Sequence, residues 1–495
     1  MAASVFAGLL LLVTTATALA QRTFGEISLD KPRVIVLTDI TNEPDDQQSL
    51  VRFLSYANEF DIEGLIATTS TWLRDDVRPA VIKKLVQAYG QVRPRLLEHA
   101  PGYPEQEYLM ERVTQHLPQY GMAGVGAGMN SEGSSHIIEV VDRADERPVW
   151  VTVWGGVNCL AQALWQVRET RSPAEVKEFV SKLRVYTISD QDDSGPWIRD
   201  HFPGLWYIVS ASSEGAEWYH KATWSGIAGD KLYQNGPGHK FELVDNPWIE
   251  KNIMQNHGPL GALYPHVEYI MEGDTPSYLG LIRNGLGWAI RPDFGGWGGR
   301  YQLARTYGES RPIWTNTRNS RDRVVAENGV AYVSDQATIW RWRQAYQHDF
   351  AARMDWQVTT YEEANHNPEP VVNGHDGMTI LTTTARPGDT VTLTAEGSTD
   401  PDGDRLSFHW WVYGEAGTSA RWWTNRNAGA YPGDVTVRNA RQIEAEITIP
   451  PDYLTNDRHR PEGDTRVHII LEVTDSGQPP LTSYRRVVID VVAEG

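Results

Sequence analysis

The sequence predicts an α/β domain with a mostly parallel sheet flanked by helices, followed by a smaller all-β domain. Short apolar runs alternate with helical segments in the first two thirds of the chain. Beyond residue 375 the apolar residues instead recur every second position. The stretch 365–377 between them is rich in Asn, Pro, Gly and His, as linkers are. We therefore place the first domain at residues 30–365 and the second at 375–495.

The first βαβ unit starts at the apolar run 33–38, which is short and β-branched like a strand buried on both faces. The polar loop 39–46 follows, and from Asp45 onward apolar residues recur at helical spacing. A second apolar run covers 62–68. This order of strand, loop, helix and strand predicts a parallel strand pair.

Two later strands are predicted at 148–153 and 183–188. The first is followed by Gly155 and Gly156, and the second by the polar cluster 189–194. In open α/β sheets ligands bind at the carboxyl ends of the strands. We therefore expect the functional site at this edge.

The second domain contains alternating runs at 391–395, 406–410, 467–473 and 487–492, separated by turn-rich stretches. Short strands with this repeat over about 120 residues favour an immunoglobulin-like β-sandwich.

Residues 1–20 contain no charged side chain, and their apolar run 5–13 is followed by the small-residue triplet 18–20. This is typical of a cleavable secretory signal, although an uncleaved anchor or a buried strand would also fit the pattern. We expect a secreted protein, extracellular or periplasmic. No later stretch is long enough to span a membrane, so no membrane is expected for the mature form. The lone Cys159 has no partner for an internal disulfide.

The chain has 64 acidic and 45 basic residues and a net charge of -19. This charge opposes binding to nucleic acid or anionic lipid. Divalent cations are more natural partners, although acidity alone also keeps an exported protein soluble.

The polar loop after the first strand carries Asp39, Glu43, Asp45 and Asp46 within eight residues. Their mutual repulsion must be offset if all four are ionised. Because no Cys or His is interleaved, a hard cation such as Ca²⁺ or Mg²⁺ is favoured over zinc. The alternative is a helix start with solvated acids.

Three segments carry a family resemblance: 38–46, 149–160 and 271–274. Together they resemble the nucleoside hydrolase fold. More closely, the chain resembles the nucleoside-hydrolase-like cellulose-binding proteins, which pair such a domain with a C-terminal sandwich. The similarity spans roughly residues 30 to 490.

The resemblance implies roles for the first loop. Asp45 would hold sugar hydroxyls, and Asp46 would bind Ca²⁺. Asp39 would be both a metal ligand and the base for the attacking water. The loop is longer than the usual one and lacks one of its aspartates, which makes the role of Asp39 the least direct of the three.

The resemblance also implies ligands from later segments. The backbone carbonyl of Trp154 matches a calcium ligand by position. Asp274 matches the last aspartate of the metal site, with Glu272 as its competitor. Asn158, after the two glycines, is either a sugar contact or a helix cap.

Further candidates come from the residues themselves. Trp297 lies among four glycines, where an aromatic ring is expected at the surface and able to stack on a sugar. His257 and His266 are either structural or acids for the leaving group, because the ordinary pKa of histidine is near neutrality. The remaining candidates at the rim of the sheet, which a solvated loop would also explain, are Asp190, Asp192 and Asp193.

In the second domain the turn 398–404 contains Asp400, Asp402 and Asp404. Asx turns explain this composition, and a bound calcium ion is the alternative. Two tryptophan pairs could form a sugar-stacking face, although strand alternation sends about half of these rings into the core. The four residues are Trp410, Trp411, Trp422 and Trp423.

We therefore predict a secreted, calcium-dependent hydrolase of glycosidic or N-ribosyl bonds that acts on a carbohydrate substrate, in the breakdown of extracellular polysaccharide. The alternative is a non-catalytic carbohydrate-binding (cellulose-binding) protein that retains the fold. A nucleoside-salvage enzyme is disfavoured by export and by the altered first loop.

Overall fold

A computed structural model describes residues 22–210, 222–228, 240–306, 308–317, 319–416, 434–455 and 465–493. The predicted signal segment 1–20 and the pair Trp422 and Trp423 lie outside these residues. Among the described helices, none is long and apolar enough to cross a membrane.

The chain first forms β1, an exposed strand, and then the α/β domain. The elements are, in chain order, β1 (Gly25–Ile27), β2 (Arg33–Thr38), α1 (Pro44–Ser55), β3 (Asp61–Ala67), α2 (Pro79–His99), α3 (Gln106–Met110), β4 (Val113–Gln115), α4 (Glu132–Asp142), β5 (Val149–Val153), α5 (Asn158–Thr170), α6 (Pro173–Ser181), β6 (Leu183–Thr187), α7 (Ser194–His201), β7 (Trp206–Val209), α8 (Asn246–Ile249), α9 (Gly258–Gly261), α10 (Pro276–Leu279), β8 (Gln302–Ala304), β9 (Ile313–Thr315), β10 (Asp322–Val325), β11 (Ala331–Ser334), α11 (Ala337–Trp340) and α12 (Arg343–Asp355).

The strands of the second domain follow. They are β12 (Ile380–Ala385), β13 (Thr390–Thr394), β14 (Ser407–Val412), β15 (Thr436–Arg438), β16 (Glu444–Thr448), β17 (Arg466–Thr474) and β18 (Thr482–Val491).

The first domain is built on an eight-stranded sheet with the order β4-β3-β2-β5-β6-β7-β9-β8. All neighbours are parallel except β8 and β9, so the predicted mostly parallel sheet is confirmed. Every residue of β2 and β5 is buried, as expected for strands covered by helices on both faces. From β2 the chain adds β3 and then β4 on one side, and it then returns to add β5 on the other side of β2. The carboxyl ends of β2 and β5 therefore form the switch point at which open α/β sheets bind ligands.

The second domain packs a five-stranded sheet, β1-β12-β18-β17-β14, against a three-stranded sheet, β13-β16-β15. Most pairs are antiparallel, as the alternating sequence predicts, but β12 and β18 are parallel. The N-terminal strand β1 pairs with β12, although the whole α/β domain separates them in sequence. Residues 21–29 lie outside both predicted domains, and the structure places β1 in the second.

The two domains share an aromatic interface. Trp342, before α12, has its ring centroid 5.7 Å from that of Trp411 and 5.5 Å from that of Tyr484. A buried hydrogen bond of 2.6 Å runs from the Tyr413 hydroxyl to Asp322. The prediction that strand alternation sends one ring of each pair into the core is confirmed for Trp410, which lies in the sandwich core. Trp411 packs on the first domain, so this pair forms no sugar-stacking face.

The expectation of a surface-exposed Trp297 is also wrong. Its side chain is 2 % exposed and packs edge-on against Tyr346 and against Tyr484 of the second domain. The surrounding glycines allow close packing of the chain, because a Cβ on Gly298 would lie 2.9 Å from the backbone of Gly280. Trp297 is therefore an interface residue and not a sugar platform.

Trp297→Ala is accordingly expected to destabilise the protein by about 3–5 kcal/mol, the usual cost of emptying a large buried aromatic site. Chemical denaturation followed by tryptophan fluorescence measures this loss. Loss of polysaccharide retention with unchanged stability would contradict the buried role.

Candidate functional site

The loop after β2 places two aspartates at the start of α1. Pro44 occupies the first turn, and Asp45 and Asp46 follow within it, where the helix dipole favours negative charge. Glu43, at the N-cap position, makes no side-chain capping hydrogen bond. Glu43 is therefore not held in place by capping the helix. The Thr38 hydroxyl at the end of β2 donates a hydrogen bond to Asp46.

Asp274 joins this pair from a distant segment. It lies in the loop that leads into α10 and is 1 % exposed. One carboxylate oxygen from each of Asp45, Asp46 and Asp274 lies within 4.8 Å of the others. Gly273 makes room for this approach, because a Cβ there would lie 2.8 Å from Asp45 Oδ2.

Asp39 lies beside this triad at the end of β2. Its side chain is buried against the backbone of Gly155, where any Cβ would collide with its carboxylate. Asp39 Oδ1 has no hydrogen-bond partner. The triad of mutually close oxygens does not include Asp39, but its charge acts on Asp46 and Asp274.

Burial and mutual repulsion disfavour ionisation of these carboxyl groups. Burial raises the pKa of Asp39 to about 6, against the effect of a hydrogen bond with Ser70. Burial, together with the charges of Glu43 and Asp39, raises the pKa of Asp45 to about 7. The pKa values of Asp46 and Asp274 are also raised well above the ordinary value, first by burial and then by the neighbouring aspartates. Four ionised carboxylates are stable here only with positive charge among them.

A hard divalent cation fits this arrangement. All donors are oxygens, and Asp39 Oδ1 and Asp274 Oδ2 are buried without any hydrogen-bond partner. The nearby arginines are engaged elsewhere: Arg78 donates to the Thr41 carbonyl at 2.6 Å, and Arg52 pairs with Glu272. A cation would therefore meet ligands that the protein itself leaves unsatisfied.

Glu272, the competitor of Asp274, has a different role. Its fully buried carboxylate lies 2.6 Å from Arg52 Nε and accepts a hydrogen bond of 2.7 Å from the Tyr264 hydroxyl. The Thr275 hydroxyl donates a further bond of 2.9 Å. Because these partners occupy the carboxylate, Glu272 fixes the loop while Asp274 faces the other aspartates.

Trp154 and Asn158 flank the Gly155-Gly156 turn after β5. The Trp154 carbonyl accepts a hydrogen bond of 2.7 Å from Gln191 Nε2. A carbonyl oxygen has two lone pairs, so the second one remains available to a ligand. Asn158 is the first residue of α5, and the cap position belongs to Val157, so the helix-cap interpretation is wrong. The Asn158 amide instead donates to the Gln119 carbonyl at 2.8 Å, and its buried Oδ1 has no partner.

The three aspartates after β6 have separate environments. Asp190 forms a two-pronged ion pair with Arg199 at 2.8 Å, and Asp193 accepts a hydrogen bond of 2.8 Å from the Met122 amide. Only Asp192 faces the turn after β5, because a Cβ on Gly156 would collide with it. Its Oδ2 is buried without a partner, and burial raises its pKa to about 6. Asp192 therefore adds a further buried acid to this edge of the sheet.

The histidine candidates lie in other environments. His257 Nε2 is 3.0 Å from Asp355, and His266 Nε2 is 2.8 Å from Glu250. His116, which was not predicted from the sequence, follows β4 at the same edge of the sheet and is 1 % exposed. The Nε2 atom of His116 has no side-chain partner. Burial lowers the pKa of the ring to about 4, so the ring is uncharged near pH 7. Its position at a strand end was the signal that could have identified it.

Comparisons with known proteins agree with this architecture. The family model of the cellulose-binding Sde182 nucleoside hydrolase-like domain matches residues 33–301. The model of the C-terminal domain of the cellulose-binding protein Sde0182 matches residues 390–491. Comparison with curated protein sequences gives no match.

A solved structure from Saccharophagus degradans is similar over nearly the whole length. It is a nucleoside hydrolase-related hypothetical protein associated with carbohydrate metabolism, 36% identical in sequence. The alignment covers 94% of this chain and 100% of that chain, with a TM-score of 0.72. The effector protein XOO4466 and the type III effector XopQ complexed with adenosine diphosphate ribose align with 11% identity over 66% of this chain and 94% of theirs. Their TM-scores of 0.29 and 0.30 establish no common fold.

Proposed function

Because this chain belongs to the family of Sde182-type cellulose-binding proteins with a nucleoside hydrolase-like domain, we propose that it is a secreted, calcium-dependent hydrolase of glycosidic or N-ribosyl bonds in polysaccharide degradation. One observation carries the proposal. Asp45, Asp46 and Asp274 bring carboxylate oxygens within 4.8 Å of one another at the switch point of the sheet.

Each residue of the site would have its own role in hydrolysis. Asp46, Asp274, Asp39 and the Trp154 carbonyl would hold the calcium ion. When bound, Ca²⁺ supplies positive charge that orients and acidifies a water molecule. Asp39, whose Oδ1 has no hydrogen-bond partner, would be the base that takes the proton from the attacking water. Asp45 accepts hydrogen bonds from sugar hydroxyls, and its charge stabilises an oxocarbenium-like transition state.

The direct test is a panel of plant and microbial oligosaccharides, polysaccharides and nucleosides incubated with the mature protein. Bond cleavage that stops with chelator and returns with added Ca²⁺ is the expected result. Absence of cleavage across the panel at saturating Ca²⁺ would reject the hydrolase.

The pH dependence of calcium stabilisation offers a second test. The raised pKa values of Asp39 and Asp45, about 6 and about 7 against an ordinary 3.8, mean that the folded protein holds protons that the unfolded chain releases. Without calcium, the contribution of these groups to stability therefore falls as pH rises from about 4 to about 7. Calcium replaces the protons, so it should raise the melting temperature more at about pH 7.5 than at about pH 5. Differential scanning fluorimetry at both pH values checks the sign, and an equal shift at both would contradict it.

A non-catalytic carbohydrate-binding protein is the second candidate function, and two exposed aromatic side chains favour it. Trp72 follows β3 at the same edge of the sheet and is 51 % exposed, and Tyr269, before Asp274, is 60 % exposed. The Trp72 amide donates to the hydroxyl of Ser70, which also bonds Asp39. An exposed ring so near the acids suits stacking on a sugar.

Trp72→Ala therefore tests the role of this ring in glucan binding without removing a buried side chain. Because the ring is largely exposed, the variant should keep the melting temperature and lose retention on insoluble glucan. If glucan retention falls and no member of the panel is cleaved by the native protein, the binding function replaces the hydrolase. Unchanged retention would exclude Trp72 as a sugar platform.

A further inference from the structure

The aspartate-rich turn of the second domain meets the segment that joins the two domains. Asp402 accepts a hydrogen bond of 2.7 Å from the His366 amide and lies 2.9 Å from the His366 ring. Asp404 accepts a bond of 2.9 Å from the hydroxyl of Ser476. Three segments, 365–367, 400–404 and 475–477, therefore converge at one point of the domain junction.

This point collects four carboxylates. One oxygen from each of Asp400, Asp402 and Asp404 lies within 4.8 Å of the others. Asp475, 5 % exposed, accepts hydrogen bonds from the Leu481 amide at 3.0 Å and from Asn365 Nδ2 at 3.2 Å. Ser476, the next residue in the chain, bonds Asp404, so Asp475 lies beside the acidic turn.

Positive charge is scarce around these acids. Among the described residues, the only salt-bridge partner of these four acids is His366, which contacts Asp402. Four carboxylates with only this histidine beside them form a negative site that attracts a cation.

Two buried oxygens at this point have no hydrogen-bond partner. Asn365 is 7 % exposed, and its Nδ2 donates to Asp475 and to the Pro479 carbonyl at 2.7 Å, while its Oδ1 receives nothing. Asp400 Oδ1 accepts the amides of residues 402 and 404, both at 3.0 Å, in an Asx turn. Its Oδ2 is enclosed and unpaired. The turn therefore gives Asp400 Oδ1 its hydrogen-bond partners. It provides none for Asp400 Oδ2 or for the amide oxygen of Asn365.

We propose that Asp400, Asp402, Asp404 and Asp475, with the amide oxygen of Asn365, bind a calcium ion that holds the two domains together. The donors are all oxygens, four of them anionic, which is the chemistry of a calcium site. Magnesium is less suitable, because it requires near-ideal octahedral geometry and retains its waters. Calcium sites of extracellular modules have Kd values on the order of 10⁻⁴–10⁻³ M, and we expect this range.

The clamping role follows from where the ligands are attached. The ring of His366 stacks on Tyr361 at 3.9 Å between centroids and on Trp356 at 5.2 Å. His366 Nε2 also lies 3.0 Å from His99, the last residue of α2. Asn365 is thus fixed to the first domain, whereas the four aspartates belong to the second. A cation bound by both groups opposes separation of the domains.

The experiment uses the full mature chain with Asp46→Asn, so that the site in the first domain is disabled. Isothermal titration with calcium chloride after chelator treatment should still show one bound calcium ion per chain. Adding Asp400→Asn and Asp404→Asn should weaken that binding at least about tenfold, because two anionic ligands are lost. Glu396→Gln is the matched control, since it removes an exposed acid of the same domain and should leave the affinity unchanged.

Circular dichroism of each variant without calcium establishes that the chain is folded. Asp402→Asn is the second variant, because it changes the most exposed of the three turn aspartates and should also weaken binding. Sensitised terbium luminescence, excited through the aromatic cluster, should appear with Asp46→Asn and fall with Asp402→Asn. Absence of calcium binding in the Asp46→Asn protein, or an affinity unaffected by the Asp400, Asp402 and Asp404 changes, would overturn the proposal.

Discussion

Asp46→Asn is expected to reduce turnover on the order of 10²-fold or more and to abolish stabilisation by calcium at the first-domain site. The substitution removes one ligand charge from the triad but keeps an oxygen that can accept the hydrogen bond from Thr38. Because it also relieves repulsion among buried acids, the calcium-free variant should melt at or above the temperature of the native protein near neutral pH. Initial rates and melting curves with and without calcium measure these effects, and polysaccharide retention should be unchanged.

The matched control is Asp30→Asn. Asp30 is exposed and precedes β2, so it lies at the opposite edge of the sheet from the acid cluster. Its substitution should change neither turnover nor the calcium shift. Native turnover and a native calcium shift in the Asp46→Asn protein would remove Asp46 from the site.

Arg52→Met is expected to lower the free energy of unfolding by about 3–5 kcal/mol, because it leaves the Glu272 carboxylate buried without its charged partner. Both side chains of this ion pair are fully buried. The Arg52 guanidinium also lies over the Phe350 ring, 4.1 Å from its centroid, and donates to the Tyr346 carbonyl. Urea denaturation of the variant measures the loss.

The exposed pair of Arg95 and Glu98 provides the comparison. Both side chains are nearly half exposed, so Arg95→Met should change stability by less than about 1 kcal/mol. Adding Glu272→Gln to Arg52→Met should recover part of the loss, since the buried charge is then gone. Equal effects of the Arg52 and Arg95 substitutions would mean that the buried pair has no special role.

The parallel sheet was predictable because its strands are buried on both faces. The predicted runs 33–38 and 183–188 correspond to strands Arg33–Thr38 and Leu183–Thr187, since short runs rich in apolar and β-branched residues suit a strand buried on both faces. Because ligands bind at the carboxyl ends of such strands, the sequence alone was sufficient to select Asp39 and Asp46 as candidates. Asp274 was identified only through family resemblance, because nothing in its local sequence ties it to a loop more than 200 residues away.

Other features depended on contacts between segments that are distant in sequence, which local patterns do not contain. The glycines around Trp297 indicated an exposed ring, but the second domain covers it through Tyr484. The two Asp residues nearest Asp192 have similar sequence surroundings, and only the fold shows that Asp192 alone faces Gly156. The sequence around Asn158 also fitted a helix cap, but its amide instead donates to the Gln119 carbonyl.

The pairing of β1 with β12 has a consequence for how the molecule can be divided. The α/β domain is, topologically, an insertion between two neighbouring strands of the sandwich, so the chain enters and leaves it from the same small body. A cut anywhere between 365 and 375 leaves strand 25–27 on one fragment and its partner on the other. The two domains should therefore not fold when they are expressed as separate fragments, because the sheet of the smaller domain includes a strand from the N-terminal side of the larger one.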